Sequence, residues 1–410
     1  MSGGQTPTLD DARAQLAAGD PQEAARTLRW VARGPQPADA ELLGIAELLA
    51  GIGQTMSLTE LEQPARALQA MSGQALYDLG WGLVHVGLPA VAVPFLRRAL
   101  QDHPSEKVLL GELAAALERS GQHAEVVETL AAAPQALEDF WLRYLLSLNA
   151  LLSGLVETAR EHHAQLVPQD RDQTAARDRV SAMLQRLDSL GSDQRDLRAW
   201  QYALNGCVLL HLSPYGFDEG MNGRYAFTQD SPEAIHRDLL RLAEILKQTG
   251  QLPQQILALP DHGSQVVGMV LAELLGLPLR PASSGAEGLV VAYDLAHCTQ
   301  RPPDQPLFAR VLRWRDPPGI VPHWVGLLAQ TNTAPWEPGM RVGEDGQAAR
   351  REASTEPPEA WARQILEASP EPDGIAPGDT QQHFEAFVAR VSPRPSDQFW
   401  EGPVRSSFFG

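Results

Sequence analysis

Glycine recurs with a fixed period through the first half of the chain. Gly19, Gly53, Gly87, Gly121 and Gly154 each close an alanine- and leucine-rich segment, at spacings of 34, 34, 34 and 33 residues. Seven residues before each stands a small residue (Ala12, Ala46, Gly80, Ala114, Ser147), which lets a neighbouring helix approach closely. Five residues after the glycine come Ala24, Ala92 and Val126, and four further on Leu28, Leu96 and Leu130. A unit of this length cannot bury its apolar face alone, so consecutive copies must stack to form one core. The expectation is a stack of helix pairs over residues 1–190, with a helix at 172–190 as its cap.

The clearest copy is YDLGWGLVHVGLPAVAVPFLRRALQDHP, and ERSGQHAEVVETLAAAP is a clear partial one. The second copy, MSLTELEQPARALQAM, departs furthest, with Leu58 in the usual small position. Over about residues 8–168 the pattern resembles the tetratricopeptide repeat. The resemblance implies a superhelix whose first helices line a concave groove, at positions two, three, six and ten before the turn glycine. It implies groove positions at His85, Val84, Trp81 and Tyr77, then Arg119, Glu118, Ala115 and Gly111, then Leu152, Leu151, Leu148 and Tyr144. Trp141 stands one helical turn before Tyr144 and extends that surface. The candidate partner-binding residues are Tyr77, Trp81, His85, Glu118, Arg119, Tyr144 and Leu148. An aromatic surface with one polar pair suits an extended peptide or a partner helix. The chain's own C-terminal half is the competing occupant, because a large apolar patch left open is a liability. The lysine and asparagine cluster with which some family members clamp a terminal carboxylate is absent.

From residue 191 the pattern changes to apolar runs alternating with helical segments. CVLLHLS (207–213), ILALP (256–260), GLVVAYDLA (288–296), FARVLRW (308–314) and HWVGLLAQ (323–330) read as buried strands. Helices are expected from Pro232, behind Asp230 or Ser231 as cap, to Gly250, and from Gln265 to Gly276. Such alternation argues for a mostly parallel sheet covered by helices over residues 191–335. ILALPDHGSQVVGMVLAELLGLPL resembles the first strand, loop and helix of phosphoribosyltransferase-like domains. Gly263 and Ser264 would open a helix N-terminus, a ready anion site. The candidate ligand residues are Asp261, His262, Gly263, Ser264 and Asp294. Active members of that family carry two adjacent acids and a glycine-rich phosphate loop. VVAYDLAHCTQRPP instead sets Tyr293 beside Asp294 with no glycine following, so a backbone wrap around phosphate is not expected. The resemblance therefore implies a catalytically degenerate domain.

Other chemistry is sparse. Asp261, His262 and Ser264 are adjacent in sequence and no G-x-S-x-G surrounds the serine, so no nucleophile elbow is expected. Glu161-His162-His163 and His297-Cys298 with His323 lack the spacing of a metal site, so neither metal nor cofactor is expected. Lys107 and Lys247 are the only lysines among 33 basic residues, an arginine bias that suits a GC-rich bacterial genome and removes lysine chemistry. A net charge of −18 disfavours nucleic acid and anionic membranes as partners. Two cysteines, no apolar run of membrane-spanning length and a polar N-terminus point to the cytoplasm. Residues 336–410 form an acidic Pro/Gly-rich tail with short helices at 358–369 and 379–391. Its aromatics Phe399, Trp400, Phe408 and Phe409 are candidates for docking on the chain itself, on a second copy or on a partner. The glycine-rich loop 214–230, with Tyr215, Phe217, Tyr225 and Phe227, is either functional or a packed plug. Together these readings favour an interaction protein, a repeat superhelix fused to an α/β domain. The alternative is an enzyme or sensor that takes a phosphorylated nucleotide or sugar.

Overall fold

In the computed structural model, residues 7–191, 196–215, 221–282, 286–297, 305–315, 319–342, 348–372, 379–400 and 402 are described. They divide into two compact units, Met1–Val180 and Ser181–Gly410. Phe217, Cys298, Phe408 and Phe409 lie outside the described residues.

The first unit is built of helix pairs: α1 (Leu9–Ala17) with α2 (Pro21–Val31), α3 (Asp39–Met56) with α4 (Thr59–Ala67), α5 (Gly73–His85) with α6 (Pro89–Asp102). Then come α7 (Lys107–Arg119) with α8 (His123–Ala131), and α9 (Phe140–Leu152) with α10 (Val156–Ala164). Helix α11 (Arg171–Leu190) follows. Side chains of Thr8, Asp20, Ser72 and Asp139 accept hydrogen bonds from first-turn amides and so start their helices. Gly19, Gly87, Gly121 and Gly154 all take positive φ. Around the last three the same bond recurs, Leu88 N to Leu83 O at 2.8 Å, Gln122 N to Leu117 O at 2.9 Å and Leu155 N to Ala150 O at 2.8 Å. This is the left-handed helix stop that glycine adopts without strain.

The second pair differs from the expectation. Gly53 lies inside α3, and Ser57 takes the left-handed position with φ 59°, while Leu58 N donates to Gly53 O. Gly53 serves contact instead, because a Cβ there would lie 2.8 Å from the Glu62 amide nitrogen. The small repeat positions are buried, as are Ala24, Ala92, Val126, Leu28, Leu96 and Leu130. Each fully buried leucine contributes about 1.5–3 kcal/mol of transfer free energy.

The second unit opens with α12 (Leu197–Asn205), started by the Asp196 carboxylate and stopped at Gly206. Strands β1 (Val208–Leu209) and β2 (Tyr225–Gln229), helix α13 (Pro232–Gln248), strand β3 (Ile256–Ala258) and helix α14 (His262–Leu275) follow. Next come β4 (Leu279–Pro281), β5 (Leu289–Asp294), β6 (Leu307–Arg313) and β7 (Trp324–Thr333). The order is β1-β7-β6-β5-β3-β4, with β2 continuing the same edge of β7, and every pairing is parallel. The chain leaves β3 through α14 to β4 on one side and returns through β5 on the other. The topological switch therefore lies between β3 and β5, where open α/β sheets form their crevice.

An antiparallel ribbon, β8 (Gly339–Val342) with β9 (Ala348–Arg351), precedes α15 (Pro358–Glu367) and α16 (Gln381–Val388). The tail is not a separate segment. Ala362, Ile365, Phe384, Phe387 and Val388 join the core that contains Leu239, Val266 and Val291. Phe399 packs in a second apolar cluster with Leu209 and Val325, and Trp400 exchanges two hydrogen bonds with Asn205, at 2.6 and 2.8 Å. The loop expected at 214–230 also ends differently, since residues 225–229 add a strand to the sheet edge.

Candidate functional site

On the first unit the expected binding residues fall into two groups. Tyr77, Trp81 and His85 lie one helical turn apart along α5 and so share a face. Trp81 is 41 % exposed, and its ring meets that of His85 at 3.7 Å, while His85 Nδ1 lies 2.9 Å from the Trp81 carbonyl oxygen. Two residues at one repeat position, Val108 and Trp141, are also open, at 56 % and 43 %. Trp141 meets Tyr144 edge-on at 5.9 Å. A cavity of about 500 Å³ lies beside Tyr77, walled by Gln74, His103, Glu106, Val108 and Leu109. Another of about 420 Å³ lies against Trp141, with Lys107, Arg143 and Gln173 in its wall.

The second group is enclosed only in part. Leu148 is 1 % exposed, and Leu151 and Leu152 are buried with it, so these leucines are core residues and not part of an open face. Tyr144 is buried as well, and its hydroxyl accepts from Arg179 Nη1 at 2.7 Å. Burial pushes its phenol up, and Arg179 opposes that. Glu118 is half-buried: burial raises its carboxyl, against the Asn149 amide at 2.7 Å and the charges of Arg119 and Arg179. Asn149 Oδ1 in turn lies 2.7 Å from His123 Nδ1. Arg119 is exposed, and its guanidinium reaches the Val84 carbonyl at 3.5 Å. Asn149 and Arg179 were not legible beforehand, because their roles depend on neighbours in other helices.

In the second unit Asp261, His262, Gly263 and Ser264 lie at the start of α14 after β3, and Asp294 ends the neighbouring strand β5, where Tyr293 and not Asp294 shares the face turned to α14. The side chains of Asp261, Ser264 and Asp294, however, are committed to the protein, while His262 Nε2 is buried without a hydrogen-bond partner among the described residues. The Asp261 carboxylate accepts from the Ser264 amide at 2.9 Å, so the helix N-terminus holds an internal anion. Ser264 Oγ accepts from the Tyr293 amide at 3.0 Å. A Cβ on Gly263 would lie 2.8 Å from Tyr293 Cβ and 2.9 Å from Trp336 Cζ2. The expected open cradle is therefore filled by the Trp336 ring, which meets Tyr293 at 4.8 Å and His262 at 5.5 Å. Asp294 is buried and accepts from Arg313 Nε at 2.8 Å and the Ala296 amide at 2.9 Å.

Beside this crevice lies a buried ionic network. Arg310, in the middle of β6, donates to Asp230 at 2.7 Å and Asp238 at 2.8 Å. Burial raises the Asp230 carboxyl despite Arg310, whereas at Asp238 the charges of Arg237 and Arg310 outweigh burial and lower it. Asp379 receives Arg198 at 2.5 Å, Arg241 at 3.1 Å and His211 Nδ1 at 3.1 Å. Burial alone would raise that carboxyl, but His211, Arg198 and Arg241 hold it well below the usual carboxylate range. Both guanidinium groups also stack over Phe384, at 4.9 and 4.8 Å. Among the described residues no group of three or more His, Cys, Asp and Glu has the arrangement of a metal site. Nor is any described helix long and apolar enough to cross a membrane.

No protein-family model matches the chain, and no curated protein matches it. Among solved structures, MamA from Desulfovibrio magneticus RS-1 aligns at 21 % identity over 40 % of this chain and 94 % of that chain, with a TM-score of 0.25. A MamA AMB-1 structure aligns at 20 % identity over 38 % of this chain and 86 % of that one, also at 0.25. MamA MSR-1 aligns at 19 % identity over 42 % and 93 %, at 0.23. Similarity at this level assigns no family.

Proposed function

We propose that the chain is a protein-interaction scaffold, in which the first-helix face of a tetratricopeptide-like unit binds a peptide or partner helix. Tyr77, Trp81, His85 and Arg119 supply the surface, Glu118 and Tyr144 its polar floor, and Leu148 the support behind it. The observation that carries this reading is the row of open apolar side chains, Trp81, Val108 and Trp141, on the first helices of successive pairs. Aromatic anchors of this kind dominate the energetics of peptide recognition. The α/β unit is read as a catalytically degenerate relative of the phosphoribosyltransferase-like fold, acting in the cytoplasm with no cofactor. The aromatic tail, whose Phe399 and Trp400 pack on their own unit, is the candidate for self-association.

The location of Asp261–Ser264 and Asp294 at the ends of the adjacent strands β3 and β5 keeps a second reading, binding of a phosphorylated nucleotide or sugar. One experiment separates the two. Peptides selected from a random display library on the full-length protein should bind about tenfold or more weakly to Tyr77→Ala/Trp81→Ala, with circular dichroism unchanged. Peptide binding indifferent to that variant, together with a thermal shift on adding ribose 5-phosphate that Asp294→Ala removes, would favour the second reading.

A further inference from the structure

We propose that the surface formed by α5 and the start of α7 is a docking site for a cationic peptide segment. One apolar side chain of that segment enters the cavity beside Tyr77, and its arginine or lysine side chains face Asp78 and Glu112. This rests on the reading of the first unit as a peptide-binding surface and names the chemistry of what it binds.

Charge is distributed unevenly over the helix pairs. Helices α3 and α5 carry Asp39, Glu41, Glu47 and Asp78 and no lysine or arginine. Most arginines of the second helices are already paired with carboxylates: Arg26 with Glu23 at 2.5 Å, Arg66 with Glu62 at 2.9 Å, Arg97 with Glu125, and Arg98 with Asp102 and Asp39 at 2.9 Å each, while Arg29 donates to the Gly87 carbonyl at 3.2 Å. Glu47, Asp78 and Glu112 have no ion-pair partner among the described residues; Asp78 accepts one hydrogen bond, from Gln74 at 2.7 Å. Glu106 adds a carboxylate to the cavity wall. The basic groups on α7 are Lys107 at its first residue and Arg119 at its last. Burial, then Glu112 and Asp78, push the Tyr77 phenol up, so both carboxylates act on the ring that borders the cavity.

An isolated acidic cluster attracts any counter-ion. Here Glu106 lines a cavity of about 500 Å³, and Asp78 and Glu112 act on the half-buried Tyr77 ring at its edge, with the open Trp81 and Val108 side chains on the same two helices. Long cationic side chains suit such a border, since their aliphatic stems cover apolar surface while the charged head meets carboxylate or an aromatic face. The same charge repels anionic lipid and nucleic acid, which leaves a basic polypeptide as the fitting partner.

The test uses the full-length protein and three labelled peptides of one length. They share their leucines and differ only in carrying arginine, glutamine or glutamate at the remaining polar positions. Fluorescence anisotropy should give the arginine peptide about tenfold or more tighter binding than the glutamine peptide, falling as salt shortens the screening length. Asp78→Asn/Glu112→Gln should remove that preference, and Glu157→Gln/Glu161→Gln, the same charge change on α10, should leave it intact. A preference that survives the first variant, or falls equally with the second, would mean general attraction to the acidic chain and overturn the proposal. Equal binding of arginine and glutamine peptides, still weakened by Trp81→Ala, would overturn the cationic specificity and leave the binding face standing. If Trp81→Ala affects no peptide, both fail together.

Discussion

A methyl group added at Gly80 would lie 2.5 Å from Leu96 Cγ and 2.6 Å from Leu96 Cδ2. Helix packing there depends on the missing side chain, and Gly80→Ala should cost about 1–3 kcal/mol through overpacking. Gly111 is the contrasting case, since its Cβ would meet only Leu142 Cδ2, at 3.8 Å. Gly111→Ala should therefore gain about 0.5–1 kcal/mol from helix propensity. Urea unfolding of the two variants checks the opposite signs. Cys207 gives a third test at this scale. Burial pushes its thiol up to about 12, so it should resist thiol reagents in the native protein and react at the unfolding rate.

At the scale of elements, the tail is tied to the sheet unit by charge. Asp379→Asn would leave Arg198 and Arg241 buried without their carboxylate, and should cost about 3–5 kcal/mol. Glu371→Gln, whose side chain is half open to solvent opposite Arg237, should cost under about 1 kcal/mol. The fold also makes two statements about pH. Asp379 is held below its ordinary range, so its contribution is full above about pH 3.9 and is lost as pH falls through the folded value. Burial pushes His323 down from 6.5 to about 4, so the unfolded chain binds more protons than the fold between those values. Stability should thus decline as pH falls through that window, and His323→Gln, which can still accept from the Leu307 amide, should flatten the decline.

Element by element, what was legible followed periodicity. Helices ending at Gly19, Gly87, Gly121 and Gly154, and the strands of β3, β5, β6 and β7, rest on patterns that tertiary contacts reinforce. The second pair misled because Ser57, a residue seldom left-handed, stops α3 one turn beyond Gly53. Strand β2 was hidden because an edge strand with half-exposed residues has no apolar run. The tail's proline and acid content masks Asp379, whose partners lie far away in sequence. Arg310 between Phe308 and Val311 was the one available signal of the ionic network: a charge inside a buried strand requires partners. Leu148 was misplaced because a repeat position predicts a face, whereas neighbours decide whether that face is open.

At the scale of the whole molecule, the two units differ in what becomes of their candidate sites. The first exposes Trp81, Val108 and Trp141 on its first helices; the second leaves Tyr215, Phe227, Leu252 and Met340 open as well, but closes its switch-point crevice with Trp336 and spends its buried charges on one another. The proposed binding surface therefore lies on the first unit. Hydrogen exchange of the full-length chain, with and without a saturating library-selected peptide, tests this most directly. Protection should rise across residues 73–85, 107–119 and 140–152 and stay unchanged at 261–275 and 289–297. Protection confined to the segments around Asp261 and Asp294 would contradict it and move the functional surface to the α/β unit.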